Sequence, residues 1–367
     1  MNTSAVTSGP PRIRRVLTFA LGAAGLALAL NAPISWGAET ALNQKPNLVL
    51  KEQGTFYVGG SIEFRIPNSS STVTGDPRSL PGHIAVNQMY VEYQIPASQK
   101  HLYPIVFVHG GGHTGQHFRT TPDGREGWFT SFTRRGFAVY AVDGSNRGRA
   151  GWDPTNRFAV SQGLLPATAM EPANIYSAQS AWTAFRWGPS YGTPYPNTQF
   201  PIDHMQDYLK QIQPAYRDPA ANQHLQANIA ALIDKIGPCI LLGWSTGTGN
   251  VMVAATSSPE RIENVKAIIG IEGYPGAAGN RPPDALAAQI PFLGLAGDFQ
   301  SPTNYENYAA LLRSLGGDAT SIFLPDIGIT GNGHTMALEK NNEQIADLIE
   351  KWIREHVEKA ETRHSKS

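Results

Sequence analysis

The sequence predicts an α/β fold in which a mostly parallel central sheet is flanked by helices and carries an inserted cap. Three observations predict it: short continuous apolar runs recur along the chain, segments with helical spacing lie between them, and one long aromatic-rich segment interrupts the alternation. A continuous apolar run of strand length indicates a strand buried on both faces, as in a parallel sheet. Strands that alternate with helices over short connections indicate βαβ units.

The first 37 residues have the character of an export signal. Arg12, Arg14 and Arg15 precede an apolar run over residues 16–30, which is shorter than the roughly 20 residues of a membrane span. We therefore expect an exported protein, periplasmic or secreted, with no stable membrane insertion once residues 1–37 are removed. An uncleaved membrane anchor is the alternative.

Eight segments read as strands of the sheet. Residues 54–67 and 83–95 alternate in polarity and are rich in β-branched and aromatic side chains, which predicts two antiparallel strands at a sheet edge. Continuous apolar runs predict six further strands, buried ones, at 105–108, 137–142, 240–242, 265–271, 292–296 and 322–324.

Helices and domain limits follow from the segments between these runs. Apolar residues at helical spacing predict helices over 225–236 and 345–353, and Gly237-Pro238 ends the first of them. Residues 152–220 are rich in proline and aromatic residues, which favours a cap over the carboxyl edge of the sheet. The core then comprises 38–151 and 221–358, and residues 359–367 form a polar tail.

Charge and cysteine content exclude several classes of protein. Lys+Arg and Asp+Glu are both 29, and a balanced charge argues against a nucleic-acid partner, which needs an excess of cations. The single cysteine, Cys239, excludes an intramolecular disulfide and a zinc site built from thiolates. We expect neither a metal nor a cofactor, and a small-molecule substrate as the partner.

A nucleophile motif follows the third buried strand. Residues 243–247 read GWSTG, a G-x-S-x-G motif between a buried strand and a helix-compatible run. In that context the serine lies on a sharp turn that lifts its hydroxyl to the top of the sheet, next to a helix N-terminus. We expect Ser245 to be a nucleophile, with a purely structural turn as the alternative.

A serine nucleophile needs a base and an acid that orients the base. His334 lies in a glycine-flanked loop after the last strand, and the chain order serine, acid, histidine is that of the α/β-hydrolase fold. Asp298 and Glu272 each follow a buried strand and compete for the third role. Position in the fold favours Asp298 as the triad acid. The carboxylate that is not in the triad is expected to cap a loop.

Further candidates surround this triad. Three glycines after His109 allow close approach of backbone N–H groups, so Gly111 and Thr246 are expected to form the oxyanion hole. His109 and His113 are expected to shape that loop. Trp244, Trp182 and Trp187 are candidates for an apolar or aromatic substrate pocket, or else pack the cap on the sheet. Arg147 and Arg149 are expected to form loop salt bridges, with a substrate carboxylate as the alternative.

Several unusual motifs occur together between residues 54 and 355. They are HGGGHTG at 109–115, TPDGREGW at 121–128, DGSNRGR at 143–149, TQFP at 198–201, IEGYP at 271–275, and GNGH at 331–334 followed by Asn341 and Asn342. With them the chain resembles a small family of bacterial α/β-hydrolase esterases. In that family the triad acid is a glutamate after the strand that follows the nucleophile, which implies Glu272 rather than Asp298.

The chain departs from that family at Gly111-Gly112, where family members carry a Cys-Cys pair. The change removes a possible vicinal disulfide and leaves the oxyanion loop either floppier or held by its neighbours. The expected activity is that of a serine carboxylic-ester hydrolase that works through an acyl-enzyme on a small or medium apolar or aromatic ester. A lactonase or an amidase with the same triad, and a non-catalytic binding protein of the same fold, are the alternatives.

Overall fold

A computed structural model describes residues 45–65, 80–170, 173–216, 218–273, 275 and 281–359. The predicted signal segment 1–37 lies outside these residues, as do residues 360–367 of the predicted tail. From Leu48 onward the chain forms one compact unit. Within the described ranges, no helix combines the length and the apolar character that crossing a membrane requires.

The centre of the molecule is an eight-stranded sheet in the order β1-β2-β4-β3-β7-β8-β9-β10. Its strands are β1 (Leu50–Arg65), β2 (Gly82–Pro96), β3 (Ile105–Val108), β4 (Val139–Asp143), β7 (Cys239–Trp244), β8 (Val265–Ile271), β9 (Phe292–Ala296) and β10 (Ala319–Phe323). Strand β1 pairs antiparallel with β2, and β2 antiparallel with β4. All pairs from β4 to β10 are parallel. The mostly parallel sheet with an antiparallel edge is therefore confirmed.

The apolar runs form strands because both faces of the central sheet are covered. Every residue of β3, β7 and β9 is buried, as the continuous apolar pattern requires. Several predicted boundaries shift by a few residues, and local contacts explain two of the shifts. Strand β4 starts at Val139 because the N–H of Phe137 still donates to Phe132 at the end of the preceding helix. Strand β10 ends at Phe323 because Leu324-Pro325 opens a 3-10 helix.

Two helical layers cover the sheet. The helices are α1 (Trp128–Arg135), α2 (Thr155–Ser161), α3 (Ala178–Ala184), α4 (Met205–Gln211), α5 (Ala221–Ile236), α6 (Thr246–Ala255), α7 (Pro259–Asn264), α8 (Asp284–Ala287), α9 (Thr303–Ser314) and α10 (Asn342–Ile353). Helices α1 and α10 bury their apolar faces in one core with the aromatic cap residues. Helices α5, α6 and α9 build the second core on the opposite face. Both predicted helices, α5 and α10, are thus present.

The segment between β4 and α5 carries only short elements. Helices α2, α3 and α4 lie in it, together with the two-residue strands β5 (Ala173–Asn174) and β6 (Ala215–Tyr216), which pair with each other. Trp182, Trp187, Phe200 and Tyr208 are buried in the same apolar core as α1 and α10. These side chains pack residues 182–208 against the sheet, and a cap over residues 152–220 stays a prediction.

Candidate active site

Ser245 lies at a strained turn between β7 and α6. Its backbone has φ 53° and ψ −125°, a region that costs a non-glycine residue about 1–3 kcal/mol. A Cβ at Gly243 would lie 2.5 Å from the Thr248 nitrogen, and one at Gly247 would lie 2.6 Å from the Val108 carbonyl oxygen. Only glycine fits at these two places, so the motif is needed for the turn itself. The Ser245 N–H donates to the carbonyl of Ile271 at 2.8 Å, which ties the turn to the end of β8.

The structure brings Glu272 and His334 together. Glu272 directly follows β8 and has a positive φ of 54°. Its Oε2 lies 3.2 Å from Nδ1 of His334, whose loop follows β10. The Trp244 indole, next to Ser245, donates to the His334 carbonyl at 2.5 Å. Ser245 and Glu272 therefore lie at the carboxyl ends of the paired strands β7 and β8, and His334 reaches Glu272 and Trp244 from the loop after β10.

The carboxylate of Glu272 is buried and is bonded by several donors. The Gly297 N–H donates to Oε1 at 2.5 Å, the Gln300 amide donates to both oxygens, and Arg186 forms an ion pair with Oε2. Burial alone would raise the pKa of Glu272, but the Arg186 charge and the bond with His334 outweigh it and lower the pKa below its usual value. Glu272 is therefore ionised at neutral pH.

Arg186 and Gln300 are site residues that sequence reasoning missed. Arg186 lies in the cap segment with φ 59°, and nothing in the local sequence marks it as the partner of an acid on β8. Gln300 follows β9 two residues after Asp298, and its place at a strand end was a usable signal.

Asp298 lies beside the site and bonds the histidine loop instead of the imidazole. One of its carboxylate oxygens accepts the Gly331 N–H, and its own N–H donates to the Asn332 carbonyl at 2.7 Å. These contacts correspond to the loop-capping role left for the acid that is not in the triad. Glu272 rather than Asp298 contacts the ring, which is the reverse of the preference from position in the fold and agrees with the resemblance.

Cap residues hold the histidine loop. The Phe185 carbonyl accepts the His334 N–H at 2.9 Å, and the Phe185 ring stacks on the imidazole with centroids 5.5 Å apart. The Trp187 indole donates to the Thr335 hydroxyl at 3.1 Å. Trp182, Trp187 and Trp244 are all at most 3% exposed. Their packing matches the alternative stated for these three residues, and Trp244 also touches the base.

Two buried histidines brace the glycine loop. The Gly144 N–H donates to Nε2 of His109 at 3.0 Å, so the ring proton lies on Nδ1 and is donated to the Gly110 carbonyl at 2.8 Å. Likewise Nδ1 of His113 donates to the Gly111 carbonyl at 2.8 Å while Tyr208 donates to Nε2. Burial lowers the pKa of His109 to about 4 and that of His113 to about 3, so both rings are neutral. The loop without the Cys-Cys pair is held by its neighbours.

Two residues are the predicted oxyanion donors. Gly111 lies in the glycine loop after β3, and Thr246 lies at the start of α6. Because carbonyl and N–H point in opposite directions across a trans peptide, fixing the Gly110 carbonyl turns the Gly111 N–H away from His109. Thr246 is the first residue of α6, so no carbonyl within the helix accepts its N–H. A Cβ at Gly111 would meet no atom within 4 Å, which leaves open space beside this N–H.

Replacing Gly110 by alanine is expected to destabilise the protein and impair the nucleophile. The added Cβ would lie 2.8 Å from Cβ of Ser245 and 2.9 Å from the Trp244 ring. We expect the free energy of unfolding to fall by about 1–3 kcal/mol, as for other overpacked sites. Urea denaturation measures it, with Gly111→Ala as the matched control because its Cβ meets open space. Equal stability of the two variants would contradict the geometry.

Glu339 is a second buried carboxylate behind the histidine loop. Its Oε2 accepts from the Asn332 amide at 2.6 Å and its Oε1 accepts the Gly333 N–H at 2.9 Å. Burial raises the pKa of Glu339, whereas the two hydrogen bonds and the charge of Arg186 lower it. Burial is the larger effect, and the pKa is about 7. Sequence patterns assign Glu339 no role, because its position after a short helical turn carries no motif.

The pH dependence of stability should report Glu339. Its pKa rises from an ordinary value of 4.5 in the unfolded chain to about 7 in the folded protein, so between these values the folded state binds more protons. The protonated carboxyl of Glu339 therefore stabilises the folded state most below pH 4.5. This stabilisation is lost as the pH rises through 7. Relative to Glu339→Gln, wild-type stability should fall between pH 5 and pH 8 in urea denaturation. Glu306→Gln, at an exposed position of α9, is the control. Parallel curves for wild type and Glu339→Gln would contradict the expectation.

Two cavities lie along the loop after β4. One of about 30 Å³ lies between the glycine loop and α5, and Gly110, Arg147 and Thr246 are among its lining residues. The other, of about 360 Å³, is lined by Arg65, Asn146, Trp152, Asp218 and other polar residues, and no triad residue lines it. Within the described part of the chain, no three His, Cys, Asp or Glu side chains are grouped to hold a metal ion.

Known proteins of similar sequence and structure are ester hydrolases. A probable secreted lipase, phiG, from a fungus (Fungal sp., strain ATCC 74256) is 29% identical over 318 residues, which are 72% of this chain and 85% of that protein. A solved structure described as a novel bacterial esterase is 32% identical, with a TM-score of 0.77, and the match covers 85% of this chain and 98% of that one. No family model matches the sequence.

Proposed function

We propose that this chain, which belongs to the α/β-hydrolase superfamily, is a serine hydrolase of carboxylic esters. The observation that carries the proposal is the constellation of a serine on a strained strand–helix turn, an imidazole and an ionised buried glutamate on one sheet rim. The similarity to an esterase and a lipase over most of the chain supports the same reaction type.

Each residue has one role in the proposed reaction. The Ser245 hydroxyl attacks the ester carbonyl while Nε2 of His334 takes its proton, because Nδ1 is occupied by Glu272. The negative carbonyl oxygen of the tetrahedral intermediate accepts from the Gly111 and Thr246 N–H groups. The imidazolium then protonates the leaving alkoxide, and an acyl-enzyme remains.

Deacylation repeats these steps with water. His334 takes a proton from water, the hydroxide adds to the acyl carbonyl, and the proton returns to Ser245 as the acid leaves. Glu272 holds the ring in the tautomer with the proton on Nδ1 and stabilises the imidazolium that forms in each half. One oxyanion donor contributes roughly 3–4 kcal/mol to such a transition state.

The sequence of residues 1–37 and the lipase relative also support export. The secreted lipase relative and the basic and apolar pattern of residues 1–37 favour a periplasmic or secreted protein. In this proposal the cleaved chain comprises a core of 38–151 and 221–358, with 152–220 as the cap.

The test is hydrolysis of para-nitrophenyl butyrate together with labelling by a fluorophosphonate. Turnover and a label on Ser245 in the peptide map are the expected result. Comparable rates on the matching lactone or anilide would favour a lactonase or an amidase. Absence of both turnover and label would support a non-catalytic binding protein and overturn the proposal.

A further inference from the structure

Arg147 is a partly buried cation without a counter-ion, and it lines a small cavity with Gly110 of the glycine loop and Thr246 at the start of α6. It lies in the loop after β4, its side chain is half-buried, and its Nη1 is sealed from solvent without a hydrogen-bond partner. Among the described residues, no carboxylate lies within 4 Å of its guanidinium. A partly buried charge without a counter-ion is unfavourable, so a partner that arrives with the substrate would remove a cost that the free protein bears.

Arg149, two residues later in the same loop, is paired with carboxylates. Its Nε and backbone N–H both donate to the Asp143 carboxylate, and its Nη1 donates to Glu92 at 2.9 Å. The sequence analysis predicts loop salt bridges for both Arg147 and Arg149. The expectation holds for Arg149, and it is wrong for Arg147.

The cavity beside Arg147 suits one compact anion. Its volume of about 30 Å³ is enough for one or two water molecules, so it can admit only a group as small as a carboxylate. No aspartate or glutamate is among the residues that line it. Asp218, three residues before α5, accepts from the Asn146 amide and the Ala220 N–H.

The cavity adjoins the place where the ester carbonyl would lie. Gly110 and Thr246 line it, and a Cβ at Gly110 would lie 2.8 Å from that of Ser245. Thr246 opens the ten-residue helix α6, whose N-terminus favours negative charge. Burial lowers the pKa of His109 most, and the positive charge of Arg147 lowers it further, as expected for a cation close to the glycine loop.

From this arrangement we propose that Arg147 binds a carboxylate on the acyl part of the substrate, so that the preferred substrates are half esters of dicarboxylic acids. The inference rests on the proposed ester hydrolysis and names its substrate class. The acyl part is chosen because the acyl carbonyl is what lies against Gly111 and Thr246. The planar guanidinium suits a carboxylate, which it can bind through two parallel hydrogen bonds.

The experiment compares charged and uncharged esters of equal shape. The substrates are the monoethyl esters of succinic, glutaric and adipic acid, and the ethyl esters in which an isopropyl group replaces the carboxylate. Ethanol release gives the ratio of kcat/KM for each pair. We expect the wild-type ratio to exceed one for at least one chain length, and Arg147→Gln to lower that ratio about tenfold or more, as for a lost charge-assisted bond.

Two further variants control for charge and folding. Arg147→Lys keeps the charge without the planar fork and should give an intermediate ratio. Arg149→Gln removes a cation from the same loop and should leave the ratio as in wild type, even if stability falls. A ratio that Arg147→Gln leaves unchanged, or that Arg149→Gln lowers equally, would overturn the inference.

Binding without turnover separates this inference from the proposed function. Thermal unfolding is measured with free succinate, glutarate or adipate, and with inorganic phosphate as the rival anion. A dicarboxylate should raise Tm in wild type and not in Arg147→Gln. That result without any ester turnover would overturn the ester hydrolysis alone. Turnover of neutral esters without a dicarboxylate effect, or an Arg147-dependent effect of phosphate alone, would overturn the carboxylate site alone.

Discussion

Ser245→Ala is expected to lower kcat for ester hydrolysis by about 10⁵–10⁶-fold, since removing the nucleophile of a serine triad costs about that much. The methyl group cannot form the acyl-enzyme, and the remaining oxyanion donors act only on direct attack by water. Steady-state assays with para-nitrophenyl butyrate at high enzyme concentration measure the residual rate.

Folding must be shown to be intact for this result to count. Alanine keeps the Cβ, and Ser245 makes no side-chain cap to α6, so urea denaturation should give nearly the wild-type stability. Ser245→Gly is a useful companion, because glycine relieves the positive φ and should be more stable than the alanine variant. Full turnover by either variant would refute Ser245 as the nucleophile.

Glu272→Gln is expected to lower kcat by about 10⁴-fold, the size of effect that follows when a triad acid becomes an amide and the imidazole takes the wrong tautomer. The amide also removes the charge that balances Arg186 and a developing imidazolium. Kinetics on para-nitrophenyl butyrate measure the loss.

Asp298→Asn is the matched control for the triad acid. Asp298 accepts the Gly331 N–H and does not contact the imidazole, so the loss of one such bond should cost about tenfold or less. Because the Gln variant can also lose stability through Arg186, Glu272→Asp and Tm values are compared alongside. A severe defect in Asp298→Asn with a mild one in Glu272→Gln would reverse the assignment of the acid.

The strands were predictable because burial on both faces leaves a simple pattern. Residues 265–271 and 292–296 are continuous apolar runs, and β8 and β9 have these bounds. Boundaries were less predictable where a neighbour decides them, as at Phe137, which stays bonded to α1.

The candidate site was predictable where chemistry depends on the local chain. The turn at Ser245 needs glycine at positions 243 and 247, so the presence of both glycines in the motif predicts the turn. The choice between Glu272 and Asp298 is different, since both follow neighbouring parallel strands and only the path of the histidine loop separates them. Arg186 and the unpaired state of Arg147 depend on contacts across the fold, which no local pattern encodes.

The stretch from Phe185 to Gln199 bonds to both halves of the proton-transfer pair. Arg186 holds Glu272, the Phe185 carbonyl holds the His334 N–H, and Gln199 bonds both Gly331 and Lys340. If this stretch moved away from the sheet, Glu272 would lose its ion pair with Arg186 and His334 would lose its bond to the Phe185 carbonyl together. The stretch therefore cannot move without disturbing both residues. The place of residues 185–199 and the geometry of the predicted acid–base pair are therefore coupled, so a substitution that loosens this stretch should weaken both supports together.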